Sequence, residues 1–292
     1  MQLWHAILLG LIQGLTEFLP VSSTAHLTLA EHLMLGRGMP LAFDVLLHVG
    51  TLLALCVYFH KELVQVFMGI LGKDPEGRKL AIWLFIAMIP TGILGLATKG
   101  FKETAKQHLW VYGIGLLVTA WMLFMANERS KKQAGRGFDE LTARDALAIG
   151  AIQGLGGGFG LSRSGSTISV GVFSGLKLPS STRFSFLLGI PTIAAAALVE
   201  TKDLVKPLLK HLPLPDEMQF PVGSINPALA CIVGVAVAAV SGYFAIGILD
   251  RFTRSPRLNG FAFYCLCMGL AMVILGTVGV DGFFYATTMQ HP

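Results

Sequence analysis

Glu17 is the only carboxylate between Met1 and Ala30, inside AILLGLIQGLTEFLPVSSTAHL, a stretch that is otherwise apolar or uncharged. A carboxylate at hydrocarbon depth costs roughly 2.5–3.5 kcal/mol on insertion scales, so such residues face a partner or a wet cavity and mark function. Around it stand Gln13, Ser22, Ser23, Thr24 and His26. A second polar island, Ser162-Arg163-Ser164-Gly165, interrupts another apolar region and brings a positive charge. Its guanidinium does not lose its proton and offers a planar fork of donors matched to phosphate oxygens. The expectation is that the two islands meet and bind phosphate.

The elements that must position these groups follow from their neighbours. Gln13 and Glu17 are four residues apart and share one face of a helix. Pro20 stops that helix, and Ser22, Ser23 and Thr24 are suited to cap the next one. A helix N-terminus carries free N–H groups and partial positive charge, which suits an anion. His26 lies about one turn into that second helix, in reach of Glu17 or of a substrate oxygen. Before the second island, Gly154, Gly156, Gly157, Gly158 and Gly160 weaken the helix and let backbone approach a ligand closely. Two blander readings stay open: hydroxyls that only cap, and an Arg163 that pairs structurally with Glu17. Asp44 and His48, four residues apart, read either as supporting partners of the site or as interfacial residues; Glu200 is expected in a solvated loop.

The chain has 292 residues, 53% of them hydrophobic and 13% charged, far from the soluble average of about 25% charged. The expected class is an all-α polytopic membrane protein forming one integral membrane domain over 1–292. Apolar runs at 45–59, 80–98, 109–126, 184–199, 218–249 and 258–280 predict six transmembrane helices. Two further apolar regions, 6–35 and 146–178, are broken by Pro, Gly and hydroxyls and read as re-entrant hairpins; such backbone is tolerated at depth only when buried in protein or lining a cavity. No cleavable signal is evident, so the N-terminus is expected to be structural. Cys56, Cys231, Cys265 and Cys267 lie in apolar runs without ligand spacing and read as packing residues. The net charge of +5 does not point to nucleic acid, because the basic residues sit in short loops beside spans.

Residues 6–15, AILLGLIQGL, align with 146–155, ALAIGAIQGL, with six identities in ten. At the same offset Ser22 falls on Ser162, Thr24 on Ser164 and Ser23 on Arg163. Two related halves are therefore expected, 1–126 and 146–280, joined by a cytoplasmic linker at 127–145. Placing that linker inside puts fourteen Lys and Arg on the inner side and seven on the outer, with Arg163 left in the membrane. This bias puts both termini outside and makes the halves inverted-topology repeats whose hairpins meet near the midplane.

The motifs QGLTEFLPVSSTAH, from Gln13 to His26, and FGLSRSGSTIS, from Phe159 to Ser169, resemble the signatures of the undecaprenyl-diphosphate phosphatase family, and the likeness covers essentially the whole chain. The chain departs from the family pattern at Ala25, where Gly is usual, at Phe159, where Pro is usual, and at Leu161, where an aromatic is usual. The resemblance implies hydrolysis of undecaprenyl diphosphate, which recycles the cell-wall lipid carrier in the bacterial inner membrane, from a cavity open to the periplasmic side. It implies Glu17 as the catalytic acidic residue, Ser23 as nucleophile, His26 as acid/base and Arg163 as diphosphate ligand; attack by a metal-bound water that Ser23 orients stays open beside the serine route. Gln13, Ser22, Thr24, Ser162, Ser164 and Gly165 are the remaining expected substrate contacts. A divalent cation, magnesium or calcium, is implied on Glu17 and Gln13. Expected partners are a polyprenyl diphosphate, the membrane lipids and, as one option, a second copy in a homodimer. A transporter or flippase of a phosphorylated lipid, or a phosphatase for another lipid phosphate, would use the same architecture.

Overall fold

The computed structural model describes residues 2–35, 39–100, 108–132, 134–156, 160–209 and 226–277. Along them run helices α1 (Leu3–Phe18), α2 (Ser23–Leu35), α3 (Leu41–Tyr58), α4 (His60–Ile70), α5 (Pro75–Ala97), α6 (Leu109–Lys132), α7 (Ala143–Gly156), α8 (Arg163–Phe173), α9 (Leu178–Leu209), α10 (Pro227–Thr253) and α11 (Asn259–Thr277). Among the described residues the only β-type pairing is an isolated bridge between Arg136 and Leu176. Five helices are long and apolar enough to cross a membrane alone: α5, α6, α9 over Leu178–Thr201, α10 and α11. The expected span at 45–59 lies in α3, which bends by 78° into α4 and reaches crossing length only as a pair. The expected span at 218–249 is helical from Pro227, and residues 218–225 lie outside the described ones, as do Gly157, Gly158 and Phe159. These apolar helices make the chain a multi-pass membrane protein.

Where helices begin, the sequence supplies caps. Asp74 accepts from Gly77 N at 2.9 Å and Asn226 from Ala228 N at 2.9 Å, each followed by Pro at the first helical position. Buried Asn127 on α6 accepts from Leu258 N at 2.8 Å and so fixes the start of α11. Close approach needs small residues. Gly10 and Gly14 of α1 lie against the backbone of Gly234 and Ala238 of α10, where a Cβ would collide. Gly150 and Gly154 of α7 meet Ala87 and Thr91 of α5 in the same way, again stepping four residues on each helix. Phe18 and Phe186, both buried, meet edge to face at 5.8 Å and join α1 to α9.

The segment before α7 is tied to the turn between α8 and α9. Arg136 donates to both oxygens of Asp145 at 2.8 and 2.7 Å and to Ser174 O at 2.9 Å, while its backbone exchanges bonds with Gly175 and Lys177. Burial pushes the Asp145 carboxyl up, but donors from Arg136 and Thr142 outweigh it and hold the group below the ordinary Asp value. The four cysteines are free; Cys265 is buried and donates to Pro20 O at 3.2 Å, whereas Cys267 is exposed on α11 instead of packed.

Candidate active site

Two helix breaks bring the polar islands together. Leu19, extended because Pro20 follows it, ends α1, and Ser22 takes a left-handed conformation at φ 69° that turns the chain into α2. Ser23, the first residue of α2, thereby faces back to α1 and donates to Glu17 Oε2 at 2.6 Å. Gln13 Nε2, one turn earlier on the same face, donates to Glu17 Oε2 at 3.2 Å. In the other half the tip is Gly160-Leu161-Ser162. Gly160 sits at φ 74° with its α-carbon against the Tyr112 backbone, a place that excludes any side chain. Ser162 N donates to Thr119 Oγ1 at 3.0 Å, and Ser162 Oγ caps α8 by accepting from Gly165 N at 3.1 Å. This fixes Arg163, the first residue of α8, whose Nη2 donates to Glu17 Oε1 at 2.6 Å across 146 residues of sequence. Glu17 is 8% exposed and Arg163 15%, so the pair is largely out of solvent.

A cavity of about 200 Å³ opens beside this pair. The first tip contributes Thr16, Glu17, Ser22, Ser23 and Thr24, and the second contributes Leu161, Ser162 and Arg163. His48 of α3 and a face of α9 made of Thr192, Ile193, Ala196, Ala197 and Glu200 complete the wall. The N-termini of α2 and α8 both start in this lining, as an anion site requires. Arg163 Nη1 is buried without a hydrogen-bond partner, packed toward Gly189 of α9.

Four residues foreseen for the site lie off the cavity lining, and one of them, Gln13, is fully buried behind Glu17. His26 turns away from the cavity: Nδ1 meets Ser22 O at 2.8 Å and Nε2 meets Tyr264 OH at 2.6 Å, with the two rings stacked at 5.6 Å. One turn into α2 its side chain points toward α11, because Ser23 already takes the face that looks at Glu17. Ser164 donates to Leu19 O at 3.2 Å and stitches the two tips, and Gly165 packs against Thr119 and Ser162 behind the cavity lining. Conversely, His48 enters the site with Nε2 3.9 Å from Glu17 Oε2 and Nδ1 on Asp44 O at 2.8 Å. Its spacing from Asp44 was the available signal, and it did not distinguish site from interface. Glu200 is helical and lines the cavity instead of lying in a loop, since Thr192, Ala196 and Glu200 recur every four residues along α9. That face was hidden in an apolar run.

The donors at Glu17 suit a hard cation shared with a ligand. Gln13 Oε1 is buried without a hydrogen-bond partner one turn from the carboxylate. No group of three or more His, Cys, Asp or Glu occurs among the described residues, so the fit is to one carboxylate, one amide oxygen and ligand oxygens, as magnesium accepts, not to an all-protein cage.

The family described as bacitracin resistance protein BacA matches residues 6–271. A relative from Syntrophotalea carbinolica named undecaprenyl-diphosphatase is 39% identical over 273 residues, covering 92% of this chain and 97% of the relative. Relatives with the same name from Desulfosudis oleivorans, at 38% over 93% of this chain and 98% of the relative, and from Methanosphaera stadtmanae, at 34% over 94% and 98%, are similar along their length. With a family match over nearly its whole length and relatives above 30% identity that it covers almost end to end, the chain belongs to the BacA family.

Proposed function

We propose that this chain is an undecaprenyl-diphosphatase, hydrolysing undecaprenyl diphosphate to undecaprenyl phosphate and inorganic phosphate. The observation that carries this reading is the meeting of Ser23, Glu17 and Arg163 at contacts of 2.6 Å in one cavity, supplied by the end of α1 and the starts of α2 and α8. Phosphoryl transfer needs positioning and neutralisation of the equatorial oxygens, and a guanidinium in the cavity wall with two helix N-termini provides both. As the diphosphate draws the guanidinium to itself, Glu17 is left facing the Ser23 proton. Ser23 Oγ attacks the terminal phosphorus, Glu17 takes the proton, and the bond from phosphorus to the bridging oxygen breaks to release the prenyl monophosphate. Glu17 passes that proton to the departing bridging oxygen and is a carboxylate again; water then attacks the phosphoserine, giving a proton to Glu17, and the bond to Oγ breaks as Glu17 hands that proton to Ser23. Glu17 and Gln13 would hold magnesium or calcium, which when bound offsets diphosphate charge. His26 supports the α2–α11 contact and is not the immediate acid/base.

The two halves are read as inverted repeats in a single membrane domain. Supporting this, α1 on α10 and α7 on α5 make corresponding glycine contacts, and α3–α4 serves as the sixth span. The orientation reading rests on the Lys and Arg bias and on depth along α9. Thr192 and Glu200 are fourteen and twenty-two residues beyond Leu178, about 21 and 33 Å at 1.5 Å per residue, from the end that meets the Arg136 segment. With that segment cytoplasmic, the cavity opens in the outer half of the inner membrane. Purified protein in detergent tests the function: phosphate release from C55 diphosphate is expected without a sealed membrane, and a preparation that binds the lipid but releases no phosphate would favour a carrier.

A further inference from the structure

The α9 wall of the cavity is apolar except at its two ends. Thr192 stands where the polar floor around Ser23 and Arg163 gives way to Ile193, Ala196 and Ala197. Gln153 on α7, 4% exposed, donates Nε2 to Thr192 Oγ1 at 2.7 Å. The threonine's own proton rests on Leu188 O at 2.7 Å, with Met88 Sδ at 3.3 Å. This arrangement is prepared for an exchange. Leu188 O keeps its helical N–H partner, and the Thr192 oxygen keeps Gln153 as donor. Turning the hydroxyl proton into the cavity therefore gives up one neutral bond to i−4 and gains a charge-assisted one about twice as strong.

We propose that Thr192 binds the phosphate proximal to the prenyl chain, and that Gln153 is the positioning residue that holds its oxygen. The inference rests on the hydrolase reading above: with the terminal phosphate against Ser23 and the first isoprene units along Ile193, Ala196 and Ala197, the inner phosphate passes Thr192. The group recognised is thus the prenyl-linked phosphate, present in substrate and lipid product but not in inorganic phosphate. The test uses the full chain in detergent with farnesyl diphosphate as substrate and farnesyl phosphate or inorganic phosphate as competitors. Thr192→Val should raise KM and the inhibition constant of farnesyl phosphate by about tenfold, the value of one charge-assisted bond, with the inhibition constant of inorganic phosphate unchanged. Thr192→Ser should restore both constants, and Gln153→Leu should shift them the same way by about threefold. Should Thr192→Val fail to fold, Thr192→Ala is expected to show the same split. Equal shifts for both competitors, an unchanged constant for farnesyl phosphate, or a fall in kcat alone would overturn the assignment. If the unmodified protein releases no phosphate at all, it is the hydrolase reading that falls; an active protein with indifferent Thr192 variants sinks only this inference.

Discussion

Replacing Ser23 with alanine separates covalent from water-mediated hydrolysis by magnitude. The hydroxyl lies 2.6 Å from Glu17 Oε2 and Ser23 as a whole is 9% exposed, so its removal deletes one well-formed contact at a buried residue. If Ser23 only orients a water or a phosphate oxygen, the loss is one hydrogen bond to a charged group, about 1.5–3 kcal/mol. At about 1.4 kcal/mol per tenfold, that is roughly 10- to 150-fold in kcat/KM. If Ser23 is the nucleophile, the covalent route and the base assistance of Glu17, itself worth about 10²–10⁴, disappear together, so the loss exceeds about 10³. We expect the larger loss. Phosphate release from C55 and C15 diphosphates in detergent measures it, and acid quench during turnover should trap phosphoserine in the unmodified protein. Losing a hydroxyl at a helix start costs about 0.5–2 kcal/mol of stability, so the variant should still unfold cooperatively. A folded Ser23→Ala protein that keeps more than about one hundredth of its kcat/KM, with no trapped phosphoserine in the parent, would refute the nucleophile assignment.

Glu17→Gln keeps a hydrogen-bond partner for Arg163 but neither the base nor the counter-charge, and should cost about 10³-fold in turnover with a loss of thermal stability beside it; near-normal turnover would remove Glu17 from the chemistry. Arg163→Lys retains the charge without the fork, and a loss of about tenfold or more in kcat/KM is expected, since one donor cannot serve both Glu17 and a phosphate. Tyr264→Phe deletes the partner of His26 Nε2 outside the cavity lining, so turnover should fall less than about tenfold; a loss approaching that of Glu17→Gln would return the imidazole to the reaction. Asp145 sits below its ordinary value, so its contribution is complete above about pH 4 and fades as acid protonates the folded carboxylate. Unfolding in detergent should therefore show Asp145→Asn less stable by about 2 kcal/mol at neutral pH, with the gap closing below pH 4, and a gap independent of pH would contradict the ion pair.

The breaks in this fold were legible because they are written in residues with few conformational options. Pro20 forces Leu19 out of helix, and Gly160 sits at a positive φ where a Cβ would meet Tyr112. The isolated charges were legible for a related reason: in an apolar chain Glu17 and Arg163 each need a partner, and each is the other's. What sequence could not carry was direction. His26 has the spacing of a site residue, yet whether its ring turns to Glu17 or to Tyr264 depends on which face of α2 meets α11, a tertiary matter. In sequence His48 stays undecided, Glu200 reads as a loop residue and Thr192 has no site role, because a helix that passes a cavity contributes only every fourth residue, and neither composition nor hydropathy marks which one.

The alignment that places Ser23 on Arg163 has a physical consequence once both are seen as the first residues of their helices and as walls of one cavity. On the inverted-repeat reading these positions are equivalents brought face to face. A serine at both would leave Glu17 buried without a cation and the diphosphate without a fork, and an uncompensated buried carboxylate costs several kcal/mol. Arginine at both would set two guanidinium groups against one carboxylate and remove the hydroxyl that contacts it. Only the unlike pair neutralises Glu17 at rest, since Arg163 takes Oε1 while Ser23 takes Oε2. That division also determines what substrate can do: a phosphate competing for Arg163 releases one oxygen of Glu17 and leaves the other against the Ser23 proton. Charge compensation in the resting protein and base placement in the reacting one are thus the same contact, which is why loss of either partner should be felt in fold as well as in rate.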